Sequence, residues 1–337
     1  MKISLRRSVA ATAVVLVGTC ALAACSAPGS SASTGGAKHI AYLSFAVANS
    51  YDAPMLAAAK TAAAQGGATI TVFDANNSPQ TQFSQLQNAI SSGQYQGIIL
   101  QPIDGTSLIP LVTQAISKGI KVVNIDQILG PDYTTDQPQV AGLSANVTFI
   151  PSKIGTQMGQ QAIAACASKN LNPCNVGYMY DIKASTLDIA IHKGFTDAVA
   201  NSPIKIVAEG QDFFTPATAL TATQNMLQAN PNLNLIVASD QGIEGAVQAL
   251  TGAGKSGKVL LVGFGASAAG IGYVKDGTVF SDVAQAPASE GRLGVQALIA
   301  AMKTGKKSGA IDPVAGMPNG GIVTQATVSQ FTAEWPG

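Results

Sequence analysis

The chain has 337 residues, 47% of them hydrophobic and 11% charged, with 19 Lys and Arg against 18 Asp and Glu and a net charge of +1. Such a length accommodates two domains. A chain this apolar is not a disordered one, and the even charge balance argues against the basic excess of a nucleic-acid binder.

The N-terminus reads as a targeting segment. Lys2, Arg6 and Arg7 precede an apolar run over 8–19 that is short for a membrane span. Leu22-Ala23-Ala24-Cys25 follows, and small residues before a cysteine resemble the lipobox of bacterial lipoproteins. That resemblance implies a signal peptide over 1–24 and a lipidated Cys25 as the first mature residue. The alternative is a plain signal peptide cut after Ala24. Several acyl chains would anchor the protein firmly. Residues 25–37, rich in Ser, Ala, Gly and Thr, read as a flexible tether. Without Lys2, Arg6 and Arg7 the net charge falls from +1 to −2, so no strong surface field is expected.

The body starts near Lys38. Residues 40–47 predict a strand, and Ala48-Asn49-Ser50-Tyr51-Asp52 leads into an Ala-rich helix that Gly66 and Gly67 stop. A strand follows over 69–73. Ser78 as N-cap with Pro79 opens a helix whose Phe83, Leu86, Ala89 and Ile90 recur at helical spacing, and Gly93 ends it. Residues 97–126 then form a strand–helix–strand crossover, the unit of a parallel sheet: Gly-Ile-Ile-Leu, an amphipathic run over 106–118, and Gly-Ile-Lys-Val-Val-Asn-Ile-Asp. Gln101 follows the first strand and Asp126 ends the second. Ligands of open parallel sheets sit beyond such carboxyl ends. Asp104 reads as a cap of the helix between them. Residues 140–146 continue in extended form.

A second alternating set begins with a helix over 152–167. Strands over 175–181, 204–209, 233–240 and 259–265 alternate with helices over 186–200, 216–228 and 243–251. The fold class is α/β, two similar doubly wound parallel-sheet lobes. Cys166 and Cys174 remain as an even pair in an exported chain, with Asn170, Asn172 and Pro173 between them. They predict a local disulfide tying a helix end to the next strand. Neither His39 nor His192 lies near that pair in sequence, which disfavours a metal site. After the leader no run of 18 apolar residues occurs.

Several segments, in order, resemble the ribose/galactose-type periplasmic binding proteins over roughly 38–331. They are Ile40-Ala41-Tyr42 with Asn49-Ser50-Tyr51, Gly97–Pro102, Gly119–Asp126, Lys193-Gly194-Phe195, Ser239-Asp240, Val262-Gly263-Phe264 and Ala284-Gln285-Ala286-Pro287. The resemblance implies the type I periplasmic binding protein fold, with lobes joined by a three-crossing hinge near Ser144–Ala145, Gln285–Ala286 and Pro318. The N-terminal lobe would comprise 38–144 plus 286–317, with a helix over 288–303. The C-terminal lobe would comprise 145–285 plus 318–337.

The resemblance also implies a ligand set. Asn49 and Tyr51 would bond a hydroxyl and stack on a ring, although Asn49-Ser50 also suits a turn and a helix cap. Asp126, Gln101, Ser239 and the hinge residue Gln285 would contact ligand, with Asp240 structural. Of Phe213 and Phe214, Phe213 is the preferred stacking aromatic. Asn146 at the first crossing and Asp188 complete the candidates. Three departures stand out. Gly265 occupies a position where many pentose binders carry Asp, and Ile189 and Gln127 occupy positions where Arg is common. Losing such groups points away from ribose, toward a polyol, another pentose or hexose, or a different small polar ligand.

The function expected is a solute-binding lipoprotein, a monomer that captures a small neutral carbohydrate or polyol for an ABC permease and its ATPase, with no cofactor. The membrane is met only through the lipid anchor, on the outer face of the cytoplasmic membrane. A ligand-sensing module that presents its closed form to a sensor kinase or chemoreceptor is the alternative. No Gly-x-Ser-x-Gly or His-Glu-x-x-His occurs, and an enzyme is not expected.

Overall fold

The structure is a computed structural model, and it describes residues 38–337. The leader, Cys25 and the tether lie outside the described residues. The body opens with β1 (Lys38–Ser44), α1 (Asp52–Gln65), β2 (Ala68–Asp74), α2 (Pro79–Ser92), β3 (Gly97–Leu100), α3 (Ile109–Ser117), β4 (Lys121–Asp126) and β5 (Ala145–Thr148). It continues through α4 (Pro151–Ser168), β6 (Cys174–Tyr180), α5 (Thr186–Val199), β7 (Ile204–Gln211), α6 (Pro216–Ala229), β8 (Leu235–Ser239), α7 (Asp240–Gly252), β9 (Leu260–Gly265), α8 (Ala268–Asp276) and β10 (Ser281–Ala284). It closes with α9 (Pro287–Thr304), β11 (Gly309–Ile311) and β12 (Ile322–Thr324).

These elements build two six-stranded sheets, ordered β11-β5-β4-β3-β1-β2 and β12-β10-β9-β8-β6-β7. Every pair is parallel except β10 with β12. Helices cover both faces of each sheet, so the central strands are apolar throughout. In β3, Ile99 joins a core with Tyr42, Met55 and Leu298, whereas Ile98 and Leu100 join another with Leu86 and Val112. Alternate side chains of a strand point to opposite faces, and here both faces are core. The second sheet repeats this, with Val237 beside Phe195 and Met158 on one face and Ile236 beside Met226 and Ile243 on the other.

The chain passes between the sheets after β5, between β10 and α9, and between β11 and β12. The first passage differs from the expected boundary at Ser144–Ala145. Residues Val123 to Asp126 pair in parallel with Ala145 to Thr148, which keeps β5 in the first sheet and moves the crossing past Thr148. Extension was expected over 140–146, but the strand itself runs Ala145–Thr148. α9 packs on α1 and on β3, β4 and β5, returning to the first lobe. Cys166 and Cys174 are bonded, linking the end of α4 to the start of β6. Among the described residues, no helix is long and apolar enough to cross a membrane.

Candidate ligand-binding cleft

The carboxyl ends of both sheets face one cavity of about 520 Å³, part of it continuous with solvent. That is the scale of a site for one small molecule. The first lobe contributes Phe45, Asn49 and Tyr51 from the loop after β1, Asp52 from the first turn of α1, Gln101 after β3, and Asp126 with Gln127 at the end of β4. Gln101 organises this wall. Its Nε2 donates to Asp52 Oδ1 at 2.6 Å and to Asp126 Oδ2 at 2.9 Å, and its Oε1 accepts from Phe45 N at 3.0 Å. Asp52 Oδ2 accepts from Ala46 N at 3.2 Å.

No Lys, Arg or His lines the cavity, so the two carboxylates have no counter-charge beside them. Burial, then the charge of Asp126, raises Asp52 to about 8, and burial raises Asp126 to about 6. At neutral pH, therefore, Asp52 is largely protonated and Asp126 largely ionised. Asp126 has φ 62°, a left-handed conformation that a non-glycine residue holds only when its surroundings enforce it. Behind the wall, Tyr51 Oη donates to Glu290 Oε1 at 3.2 Å. Burial, then the charge of Asp126, keeps the Glu290 carboxyl well above its usual range.

The second lobe contributes Phe149, Leu187, Phe214 and Phe264, with Ser239 and Gln241 at the start of α7. Ser239 Oγ caps α7, accepting from Gly242 N at 3.3 Å, and donates to Asp181 Oδ1 at 2.5 Å. This lobe's own carboxyls turn away from the cavity. Burial, then the charges of Asp212 and Asp188, pushes Asp181 well up, and burial brings Asp212 to about 7. Asp240 and Asp282 are both buried and both raised. Their Oδ1 atoms have no donor among the described residues, and a proton shared between the two carboxyls accounts for both facts.

At the hinge, Gln285 is 8% exposed and lines the cavity, and its side-chain amide bonds to no described residue. The C-terminal tail supplies the remaining wall. Glu334 accepts from Ser289 N at 2.7 Å and Ser289 Oγ at 2.6 Å, at the start of α9. The carbonyls of Trp335 and Pro336 accept from Ala268 N at 2.9 Å and Ala269 N at 3.1 Å, at the start of α8. Free N–H groups at helix N-termini need acceptors of this kind. Trp335 is thereby set into the cavity wall, edge-on to Tyr51 with ring centroids 5.3 Å apart, and its Nε1 donates to Gly265 O at 2.9 Å.

Of the residues singled out in the sequence, Asn49, Tyr51, Gln101, Asp126, Ser239 and Gln285 lie in this lining, whereas Asn146, Asp188 and Phe213 do not. Asn146 is held in a polar ladder. It accepts from Asn124 Nδ2 at 2.7 Å and donates to Asp136 O at 2.7 Å and Thr148 Oγ1 at 3.0 Å. Asp188 accepts from Asp181 N at 2.8 Å, Ile182 N at 3.0 Å and Ser185 Oγ at 2.8 Å, so it fixes the turn from β6 into α5. Phe213 is 55% exposed. Phe213 and Phe214 both have left-handed φ, 54° and 55°, and this turn directs Phe214 inward instead. Sequence reasoning missed Phe45, Asp52, Phe149, Leu187, Gln241, Phe264 and Trp335 as lining residues, and singled out Gln127 only as a departure. Asp52 had a local signal, an acid in a helix's first turn beside the candidate loop. Trp335 had one too, as the chain's one tryptophan.

Besides the Ser289–Glu334 contact at the hinge, hydrogen bonds join the lobes between Tyr133 Oη and Thr186 Oγ1 at 2.5 Å and from Gln241 Nε2 to Ser50 Oγ at 3.4 Å. The lobes are therefore in a closed arrangement. Among the described residues, no group of His, Cys, Asp or Glu is arranged to hold a metal ion.

The sequence is 31% identical to the D-allose-binding periplasmic protein of Escherichia coli over 256 residues, which is 71% of this chain and 76% of that protein. An ABC transporter solute-binding protein of Agrobacterium vitis, solved with bound D-fucose, superposes with a TM-score of 0.74 at 27% identity, over 86% of this chain and 96% of that one. A periplasmic solute-binding protein of Actinobacillus succinogenes with bound D-allose does so at 0.74 and 25%, over 87% and 100%. The relatives named here are binding proteins. Residues 40–307 match the model of the periplasmic binding protein domain, and the chain belongs to that family.

Proposed function

We propose that the cleft binds one small neutral carbohydrate or polyol, which the protein delivers to an ABC import permease and its ATPase. One observation carries this reading: the polar groups left free in the cavity are neutral amides and one carboxylate oxygen, with no positive charge among them. Asp126 Oδ1, Gln127 Oε1 and Gln241 Oε1 have no donor, and the Gln285 amide is unengaged on both sides. Asn49 Nδ2 adds a donor, since Asn49 Oδ1 already accepts from Tyr51 N at 2.8 Å. Hydroxyls, which both donate and accept, suit such a surface; carboxylates and phosphates would meet a carboxylate and no cation there. Aromatic rings supply faces for the C–H surface of a sugar.

Asn49, Asp126 and Gln285 contact hydroxyls, and Tyr51 and Phe214 contact carbon faces. Gln101 orients Asp126, and Ser239 acts through its cap on α7. The lobes, 38–148 with 287–311 and 149–284 with 322–337, open and close about the three passages. A ligand touching both walls binds the closed form better and shifts the equilibrium toward it. The protein acts as a monomer tethered through lipidated Cys25 to the outer face of the cytoplasmic membrane. A signal peptide precedes that cysteine.

Thermal unfolding of the chain from Ser26 onward, against a panel of sugars and polyols, tests the reading. A ligand at a hundred times its Kd raises stability by about 2.7 kcal/mol, several degrees in midpoint. No shift with any carbohydrate or polyol overturns it. Labelled palmitate incorporated by the full chain but not by Cys25→Ser tests the anchor.

A further inference from the structure

We propose that Tyr133 and Thr186 form a latch between the lobes, one that favours closure for every ligand of the cleft while touching none. Tyr133 is then a residue that sets affinity through the open–closed equilibrium. This rests on the lobe closure read above and not on the nature of the ligand.

The latch stands outside the cavity. Tyr133 Oη and Thr186 Oγ1 are hydrogen-bonded at 2.5 Å, and neither residue lines the cleft. Each is nonetheless joined to a wall. Tyr133 lies on the loop over 127–144, which begins at the lining residue Gln127, and Thr186 is followed by Leu187, another lining residue. The bond runs from the first lobe to the second, so opening must break it. The Gln241–Ser50 bond is different: it is 3.4 Å long and its donor lines the cavity, where a ligand can compete for it.

Both ends of the latch are braced before they meet. Asp132 N donates to Gln139 Oε1 at 2.9 Å, and Gln139 Nε2 donates to Asp132 O at 2.7 Å. Thr134 N donates to Asp132 Oδ1 at 2.8 Å. Gly130 makes room for this brace: its φ is 151°, and a Cβ there would come within 2.3 Å of Gln139 Oε1. Asp136 O accepts from Asn146 Nδ2 at 2.7 Å, which ties the loop to β5 just before the first passage. On the facing side, Ser185 Oγ caps α5, accepting from Asp188 N at 3.1 Å and donating to Asp188 Oδ2 at 2.8 Å. Groups held this way lose little further freedom on meeting, so more of the bond's strength remains to favour closure.

The test removes one hydroxyl at a time and keeps the shape, with Tyr133→Phe and Thr186→Val. Each should move the open–closed ratio toward open by about twofold to tenfold, the worth of one hydrogen bond. If the free protein is mostly open, the shift appears as the same loss of affinity for each sugar or polyol that binds, in calorimetric titrations with D-allose, D-fucose, D-glucose and myo-inositol. If it is mostly closed, the shift appears as a larger radius of gyration of the ligand-free protein in small-angle X-ray scattering. The double variant should lose no more than either single one, and Thr186→Ser should behave as the unaltered protein does. Affinity and radius both unmoved in the single variants overturn the proposal. Additive losses in the double variant overturn it too, as do losses that differ among ligands by more than about twofold. Failure of every sugar and polyol to bind removes the carbohydrate reading alone. The scattering then decides, and an unchanged radius overturns the latch.

Discussion

In the first lobe the ends of β3 and β4 carry Gln101 and Asp126 into the cleft, whereas in the second the ends of β8 and β9 carry Ser239 and Phe264. Both lobes are rich in buried carboxyls, but they use them differently. Asp52 and Asp126 face the cavity and are joined by Gln101. Asp181, Asp212, Asp240 and Asp282 are buried behind their wall and face one another or the serines that cap α7 and α8. The same residue type at similar places in a repeated topology faces the cavity in one lobe and is an internal fastening in the other. What decides is the neighbour: a bridging amide leaves one oxygen of Asp126 facing the cavity, while the carboxyls of the second lobe turn to one another or to a capping serine.

The comparison can be broken most directly at Asp126. Replacing it with Asn, which tolerates the left-handed φ, should cost about 3 kcal/mol of ligand affinity, measured by calorimetry, since a bond to a charged group is lost. The same change should stabilise the free protein above pH 6 by up to roughly 3 kcal/mol, because it removes a buried carboxyl shifted from 3.8 to about 6. Retained affinity would mean that the first wall is structural after all. On the other wall, Phe214→Ala should cost roughly 2 kcal/mol of affinity, the worth of an aromatic face. A loss as large as that of Asp126→Asn would erase the asymmetry between the lobes.

Acidity sharpens the contrast further. Ligand hydroxyls favour the ionised Asp126, so binding should weaken as pH falls through about 6, by about tenfold at pH 5, and Asp126→Asn should flatten that profile. Asp52, raised to about 8, remains protonated over this window, and burial shifts Glu290 and Tyr51 beside it upward as well. Stability of the free protein should run the other way. Asp52 and Asp126 bind protons more tightly folded than unfolded, so their contribution is present at low pH and is lost as pH rises toward about 8. Smallest in its effect on affinity is the disulfide. Cys166→Ser with Cys174→Ser should lower unfolding stability by about 2–3 kcal/mol and leave binding unchanged, since Cys174 opens β6 at the edge opposite the cleft.

The alternation of strand and helix was legible because parallel strands buried on both faces read as unbroken apolar runs. The strand-end residues Gln101 and Asp126 followed from it, since a parallel sheet fixes where its carboxyl ends lie, whereas Ser239 came only with the family resemblance. Other positions depended on geometry that no local pattern records. Phe214 rather than Phe213 enters the cleft because two successive residues adopt left-handed φ. Asp188 reads like a ligand residue but is consumed by backbone donors of its own turn. Trp335 reaches Gly265 across 70 positions of sequence, and the short strand β12 pairs antiparallel with β10 after a long return through the other lobe. Those placements are set by tertiary packing, and only composition hinted at the tryptophan.

That tryptophan has a practical consequence. It is the chain's one indole, it is 4% exposed, and it stands in the cavity wall with its Nε1 bonded to Gly265 O. Its emission therefore comes from one place. Excited selectively over the tyrosines, the protein carries its own fluorophore in the wall of the cavity, and a titration can be followed optically without any label.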